Sequence, residues 1–186
     1  MFTRKQFVEK YYSVAKNVTK NTGIFPETLI AMAIVESQGK VNNVWYVGAG
    51  LVAVKGNNYF GIKDSSTWTG ETIKLPTPGD KDKISTFRKY NSVEDSFKDF
   101  VKFLKINPRY KKNNVFDSND YAEQIINIAR AGYAENMQYA VVIKSVADSV
   151  AKAIKNQIIK PLQNNKGIAG TLIAFFFLLL YNKKLK

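Results

Sequence analysis

At 186 residues, 45% of them hydrophobic, the chain has the apolar material for one sizeable core. It contains no histidine and no cysteine, which excludes Ser-His-Asp and Cys-His nucleophile systems, thiolate or imidazole zinc sites, and disulfides. Its formal charge of +13 points to an anionic partner, but the basic residues are scattered rather than gathered in an arm, so no nucleic acid is expected.

Thr3 and Gln6 form a capping box, and Phe7, Tyr11, Val14 and Val18 follow at helical spacing. The N-terminus "MFTRKQFVEKYY" has no apolar h-region, so no cleaved secretory signal is expected. The first helix is read from about residue 3 to 21, closed by "NTG". Pro26 suits the first turn of a second helix, running to about Gln38. Residues 41–63 are rich in Val, Gly, Asn and aromatics without a helical period, and read as an extended loop. Residues 67–90 read as two short β segments around "PGDKDK". Ser92 and Asp95 cap a third helix with Val93, Phe97, Phe100, Val101 and Leu104 on one face. A fourth helix runs from near Asp120 to Arg130 and stops at Gly132, and a fifth from about Met137 to Lys160 ends at Pro161.

The end of the chain differs in character. "GIAGTLIAFFFLLLYN", residues 167–182, is uncharged, with Lys166 before it and "KKLK" after it. Its length of ~24 Å as a helix falls short of a ~30 Å hydrocarbon core, a gap that snorkelling lysines would close. The expected plan is therefore a mostly helical α+β domain over residues 1–160 with a small β-hairpin flap. A linker at 161–166, a transmembrane anchor at 167–182 and a basic tail at 183–186 follow it, giving a membrane-anchored protein with the lipid bilayer as a partner.

With histidine and cysteine absent, acid–base chemistry falls to Asp, Glu, Lys or Tyr. Glu36 stands out in "TLIAMAIVESQGK", where seven apolar residues in succession precede it. On a helix it shares a face with Leu29, Met32 and Ala33. Desolvation and the negative end of the helix dipole both raise a carboxyl pKa, so Glu36 is placed to keep a proton near neutral pH. That is what a general acid needs to break a glycosidic bond.

Downstream lie "NNYFGIKD" (residues 57–64), the β flap, "FRKYNSVEDSFKDFVKFL" (87–104), "NPRY" (107–110) and "AGYAENMQYA" (131–140). In this order and spacing the segments resemble the glucosaminidase domain family of peptidoglycan hydrolases, which includes autolysins, the flagellar wall-digesting enzyme and phage lysins. The match covers roughly Phe25 to Val146. The resemblance implies a lysozyme-like fold with a cleft between a helical body and the flap. It also implies hydrolysis of the β-1,4 linkages of peptidoglycan glycan strands on the N-acetylglucosamine side. Glu36 matches the general acid, and Asn58, Phe60 and Gly61, with Tyr59 between them, match the "N-x-F-G" wall of the cleft. Tyr133 matches a tyrosine placed near the reacting sugar. Trp68 on the flap either stacks on a sugar ring or covers the base of the flap.

The second carboxylate departs from the family pattern. Where members carry an acid on the flap, this chain reads "LPTPGDKDK", with Pro78 and Gly79 at the expected place. Asp80 is the nearest candidate, Asp82 the next, and Glu71 lies earlier on the flap; if no carboxylate reaches the sugar, the substrate's own N-acetyl group would supply the nucleophile. No metal or other cofactor is expected, because no Asp/Glu cluster has ligand-like spacing.

Two rival readings stay open. One is a lytic transglycosylase or muramidase, although "GAGLVAV" (48–54) lacks the Met-Gln of the transglycosylase segment. The other is a membrane-anchored virion structural protein without catalysis, for which the altered flap argues. Small size and the missing leader suggest a bacteriophage protein, in the virion membrane for entry or on the host membrane for lysis.

Overall fold

A computed structural model describes residues 1–77, 80–134 and 137–164. Chain contacts divide it into two compact units, Met1–Val150 and Ala151–Lys186. Among the described residues the first unit holds six helices, a short 3₁₀ turn, two antiparallel hairpins and the start of a seventh helix. Within the described residues the second unit consists of the remainder of that helix.

Helix α1 (Arg4–Val18) begins as the sequence specifies: Thr3 Oγ1 accepts from Gln6 N at 3.2 Å while Gln6 Oε1 accepts from Thr3 N at 3.0 Å. It ends three residues earlier than the sequence reading, since Asn21 and Gly23 both take positive φ and turn the chain. Helix α2 (Pro26–Ser37) carries Pro26 in its first turn, and its residues from Thr28 to Ile34 are all buried. A helix apolar all round has to lie inside the core. It packs against α1 and against α6 (Tyr121–Arg130). The buried Gln124 of α6 fastens its start, accepting from Phe25 N at 2.9 Å and donating to Gly23 O at 2.7 Å and Val115 O at 2.8 Å.

The stretch expected as an extended loop is more structured than that. It contains the hairpin β1 (Gly39–Val41) and β2 (Val44–Tyr46), turned at Asn42 and Asn43, both with positive φ, and then helix α3 (Leu51–Gly56). Three-residue strands show no alternation and a six-residue helix shows under two periods, so neither leaves a periodic signal. The flap is the hairpin β3 (Thr72–Thr77) and β4 (Asp80–Arg88), irregular at Pro76/Thr77.

Helix α4 (Val93–Ile106) starts at its Ser92 cap, whose hydroxyl accepts from Asp95 N at 3.1 Å. It buries Phe97, Phe100, Val101 and Leu104, the face that the sequence marks. The short α5 (Pro108–Lys112) and a 3₁₀ turn at Val115–Asp117 lead into α6. Helix α7 (Gln138–Asn164) passes through Pro161, so part of the expected linker is helical.

The expected transmembrane helix and membrane localisation are corrected. Among the described residues no helix is long and apolar enough to cross a membrane, and the segment assigned as the anchor, 167–182, lies outside them. The longest helix, α7, carries Lys144, Asp148, Lys152, Lys155 and Lys160. Each charge at a bilayer centre costs about 2.5–3.5 kcal/mol on insertion scales. The architecture is a mostly helical α+β fold with two small hairpins.

Candidate active site

A cleft of ≈ 610 Å³ opens in the first unit, lined by residues from α2, the 60–65 segment, β4, α4, α5, the turn that leads into α7 and the first turn of α7. Glu36 reaches it from the last turn of α2. The end of that helix is tied down: Ser37 Oγ donates to Ala33 O at 2.6 Å and accepts from Gly48 N at 3.0 Å, while Gly50 N donates to Ser37 O at 2.8 Å. Gly39 permits this approach, since a Cβ there would sit 2.7 Å from the Ala49 backbone.

Burial pushes the Glu36 carboxyl above its ordinary value of 4.5. Acting against that, Tyr139 Oη donates to Glu36 Oε1 at 2.6 Å, which favours the charged form. Burial is the larger effect, so the acid keeps a raised pKa, as the apolar surroundings in the sequence imply. Tyr139 itself is pushed well above the usual phenol range, mainly by burial.

Tyr133 follows α6 through Gly132, whose φ is +78°, and its hydroxyl donates to Phe60 O at 3.5 Å. Its ring meets Phe100 edge-on at 5.8 Å and Tyr139 at 5.8 Å. Burial, then the neighbouring charge of Glu36, raises its phenol pKa strongly. Arg109 of α5 braces the turn, donating from Nη1 to Gly132 O at 3.0 Å and from Nη2 to Tyr110 Oη at 2.7 Å.

The "N-x-F-G" segment divides its labour. Phe60 and Gly61 line the cleft, and Phe60 stacks on Phe100 with centroids 3.9 Å apart. Gly61 turns the chain at φ +62°. Asn58 does not line the cleft. It is 1% exposed, donates from Nδ2 to Ile62 O and Arg88 O, each at 2.9 Å, and accepts at Oδ1 from Ile62 N at 3.1 Å. It therefore acts as the clip that holds the turn against β4. Tyr59 points into the core, stacked on Phe7 at 5.5 Å.

Trp68 and Asp80 are not among the cleft-lining residues. Trp68 donates from Nε1 to Glu71 O at 3.0 Å, and the Arg88 guanidinium sits 4.8 Å from its ring, so it covers the base of the flap. Asp80 is exposed where β4 begins, and Asp82 is exposed beyond it. Glu71 is exposed and paired with Lys89 at 2.7 Å. Conversely, Tyr139, Arg109, Lys63, Asp64 and Ser65 line the cleft without having been singled out in the sequence. Tyr139 sits six residues after Tyr133 in the same quoted motif, so that motif's second tyrosine was the available signal. Among the described residues no group of three or more Asp or Glu side chains could hold a metal ion.

A family model, "Mannosyl-glycoprotein endo-beta-N-acetylglucosaminidase", of the glucosaminidase domain, matches residues 12–152. The peptidoglycan hydrolase FlgJ of Vibrio cholerae is 34% identical over 149 residues, covering 74% of this chain and 41% of the relative. FlgJ of Pseudomonas aeruginosa is 32% identical over 148 residues, covering 76% and 36%. The chain thus spans less than half the length of these relatives. The glycoside hydrolase domain of Salmonella typhimurium FlgJ shares the fold, with a TM-score of 0.65 and 24% identity, over 88% of this chain and 98% of that one.

Proposed function

Because the chain belongs to the glucosaminidase family of peptidoglycan hydrolases, we propose that its own cleft cleaves β-1,4 glycosidic bonds of peptidoglycan, on the N-acetylglucosamine side. The observation that carries the reading is the largely buried Glu36, its pKa raised by burial, at the wall of a cleft it shares with Tyr133 and Tyr139. In this reading Glu36 gives its proton to the bridging oxygen as the C1–O bond breaks. Tyr139 orients the carboxyl through its hydrogen bond. Tyr133 and Phe60 form the wall against which the sugar lies, and Asn58 and Gly61 hold that wall in shape.

Glu36→Gln tests the reading. Loss of a positioned general acid costs on the order of 10²–10⁴-fold in rate, so the variant should release almost no fragments from purified sacculi. Mass analysis of wild-type products should show reducing N-acetylglucosamine ends. Ends in 1,6-anhydromuramic acid would instead assign a lytic transglycosylase, and equal release by wild type and variant would remove Glu36 from the chemistry. The relatives named above are bacterial proteins, which does not support the expected bacteriophage origin.

A further inference from the structure

Hydrolysis needs a second group besides the acid, one that takes a proton from the attacking water or meets the charge growing at C1. The flap acids do not line the cleft: Asp80 and Asp82 are exposed on β4, and Glu71 is paired with Lys89. Among the described cleft-lining residues the carboxylates are Glu36 and Asp64. Accepting the glycosidase reading above, we propose that Asp64 is the second catalytic carboxylate, the general base that activates water.

The segment carrying Asp64 is clamped. Lys63 bridges to Phe87, Asp64 N donates to Thr86 O at 2.9 Å, and Arg88 N donates to Ile62 O at 3.0 Å, so the segment lies along β4. The Arg88 side chain locks it from the other direction. Its Nε donates to Lys63 O at 3.3 Å and its Nη2 to Ser65 Oγ at 3.0 Å, while Nη1 pairs with the nearly buried Asp99 at 2.8 Å. Asp64 Oδ1 accepts from Ser65 N at 2.7 Å, which holds one carboxylate oxygen, and the residue is exposed. The two cleft acids therefore stand in unlike surroundings, one enclosed and one open to solvent, and such a difference separates acid from base.

The step balances with water as co-reactant. Glu36 gives its proton to the bridging oxygen, the C1–O bond breaks, and the leaving sugar departs as an alcohol. Water attacks C1 from the face opposite the leaving group, the new C1–O bond forms, and the water proton passes to Asp64. Solvent then returns the proton from Asp64 to Glu36. Direct displacement by water inverts the anomeric centre.

The test compares Asp64→Asn, Asp64→Ala, Asp80→Asn and Glu36→Gln in the full chain on sacculi, with thermal melts to establish folding. Asp64→Asn should lose about 10²-fold or more in turnover with little change in KM. Azide should rescue Asp64→Ala and yield an α-glycosyl azide, a product that a merely misfolded variant could not make. Wild-type product should first appear as the α-anomer by NMR. An Asp64→Asn variant with wild-type turnover overturns the proposal even where Glu36→Gln is inactive, a result that leaves the glycosidase reading intact. Loss with Asp80→Asn but not Asp64→Asn moves the base to the flap, and an initial β-anomer also refutes base catalysis. Full activity in Glu36→Gln would instead overturn the underlying reading.

Discussion

Glu36 and Tyr139 bias one another's protons, and the sign of that coupling is testable. In the proposed role as general acid Glu36 works while protonated, so turnover should fall as pH rises through its pKa, which burial has already raised. The phenol hydrogen bond at 2.6 Å favours the carboxylate and pulls that pKa back down. Tyr139→Phe removes the pull, so the basic limb of the kcat–pH profile should move to higher pH while the fold is kept. A limb that stays put, or moves to lower pH, would show that Tyr139 does not act through the acid. The apolar neighbours in the sequence marked Glu36 as a carboxyl with a raised pKa, as its burial shows; its phenol partner escaped notice because 103 residues separate the two.

Among the elements, the cleft wall depends on how the 57–62 turn is fastened to β4 and α4. Asn58 links Ile62 and Arg88 through both ends of its amide. Asn58→Ala takes that partner from Arg88 O and Ile62 N, while Ile62 O keeps its bond from Arg88 N, and the two groups left buried cost roughly 2–4 kcal/mol. Urea denaturation should show the midpoint falling with the slope unchanged, and a loss under ~0.5 kcal/mol would mean that water replaces the amide. The strength of "N-x-F-G" as a sequence signal has this origin. The asparagine is a fastener, the phenylalanine a wall stacked on Phe100, and the glycine a turn at positive φ. The helices and hairpin missed from sequence, the hairpin at 39–46 and the helices α3 and α5, are those too short to show a period.

For the whole molecule the governing quantity is charge. A net +13 favours close approach to an anionic wall polymer, and the attraction is screened over about 8 Å at physiological salt. Raising NaCl from about 0.05 to 0.5 M should cut the fraction that sediments with sacculi severalfold, since the Debye length shortens to a few ångströms. Turnover on short, uncharged glycan fragments should change little over the same range. Salt-independent sedimentation would assign wall binding to the cleft and its contacts instead of to the overall field.

By itself the sequence determined the helical frame, its caps, the flap, and the acid at the end of an apolar helix. Each of these follows from local pattern: the periodicity of apolar residues, side-chain caps, and turn residues that the backbone requires. It also carried the family resemblance, because that rests on motifs short enough to read along the chain. Only the tertiary structure decided which side chains share the cleft. It set Tyr139 on Glu36, turned Asn58 and Tyr59 inward, kept Trp68 at the flap base, and brought Asp64 to the cleft while Asp80 stayed at the flap turn. The physical reason is that a side chain's neighbours across the fold are fixed by packing and backbone pairing between distant segments, and no local spacing encodes those contacts.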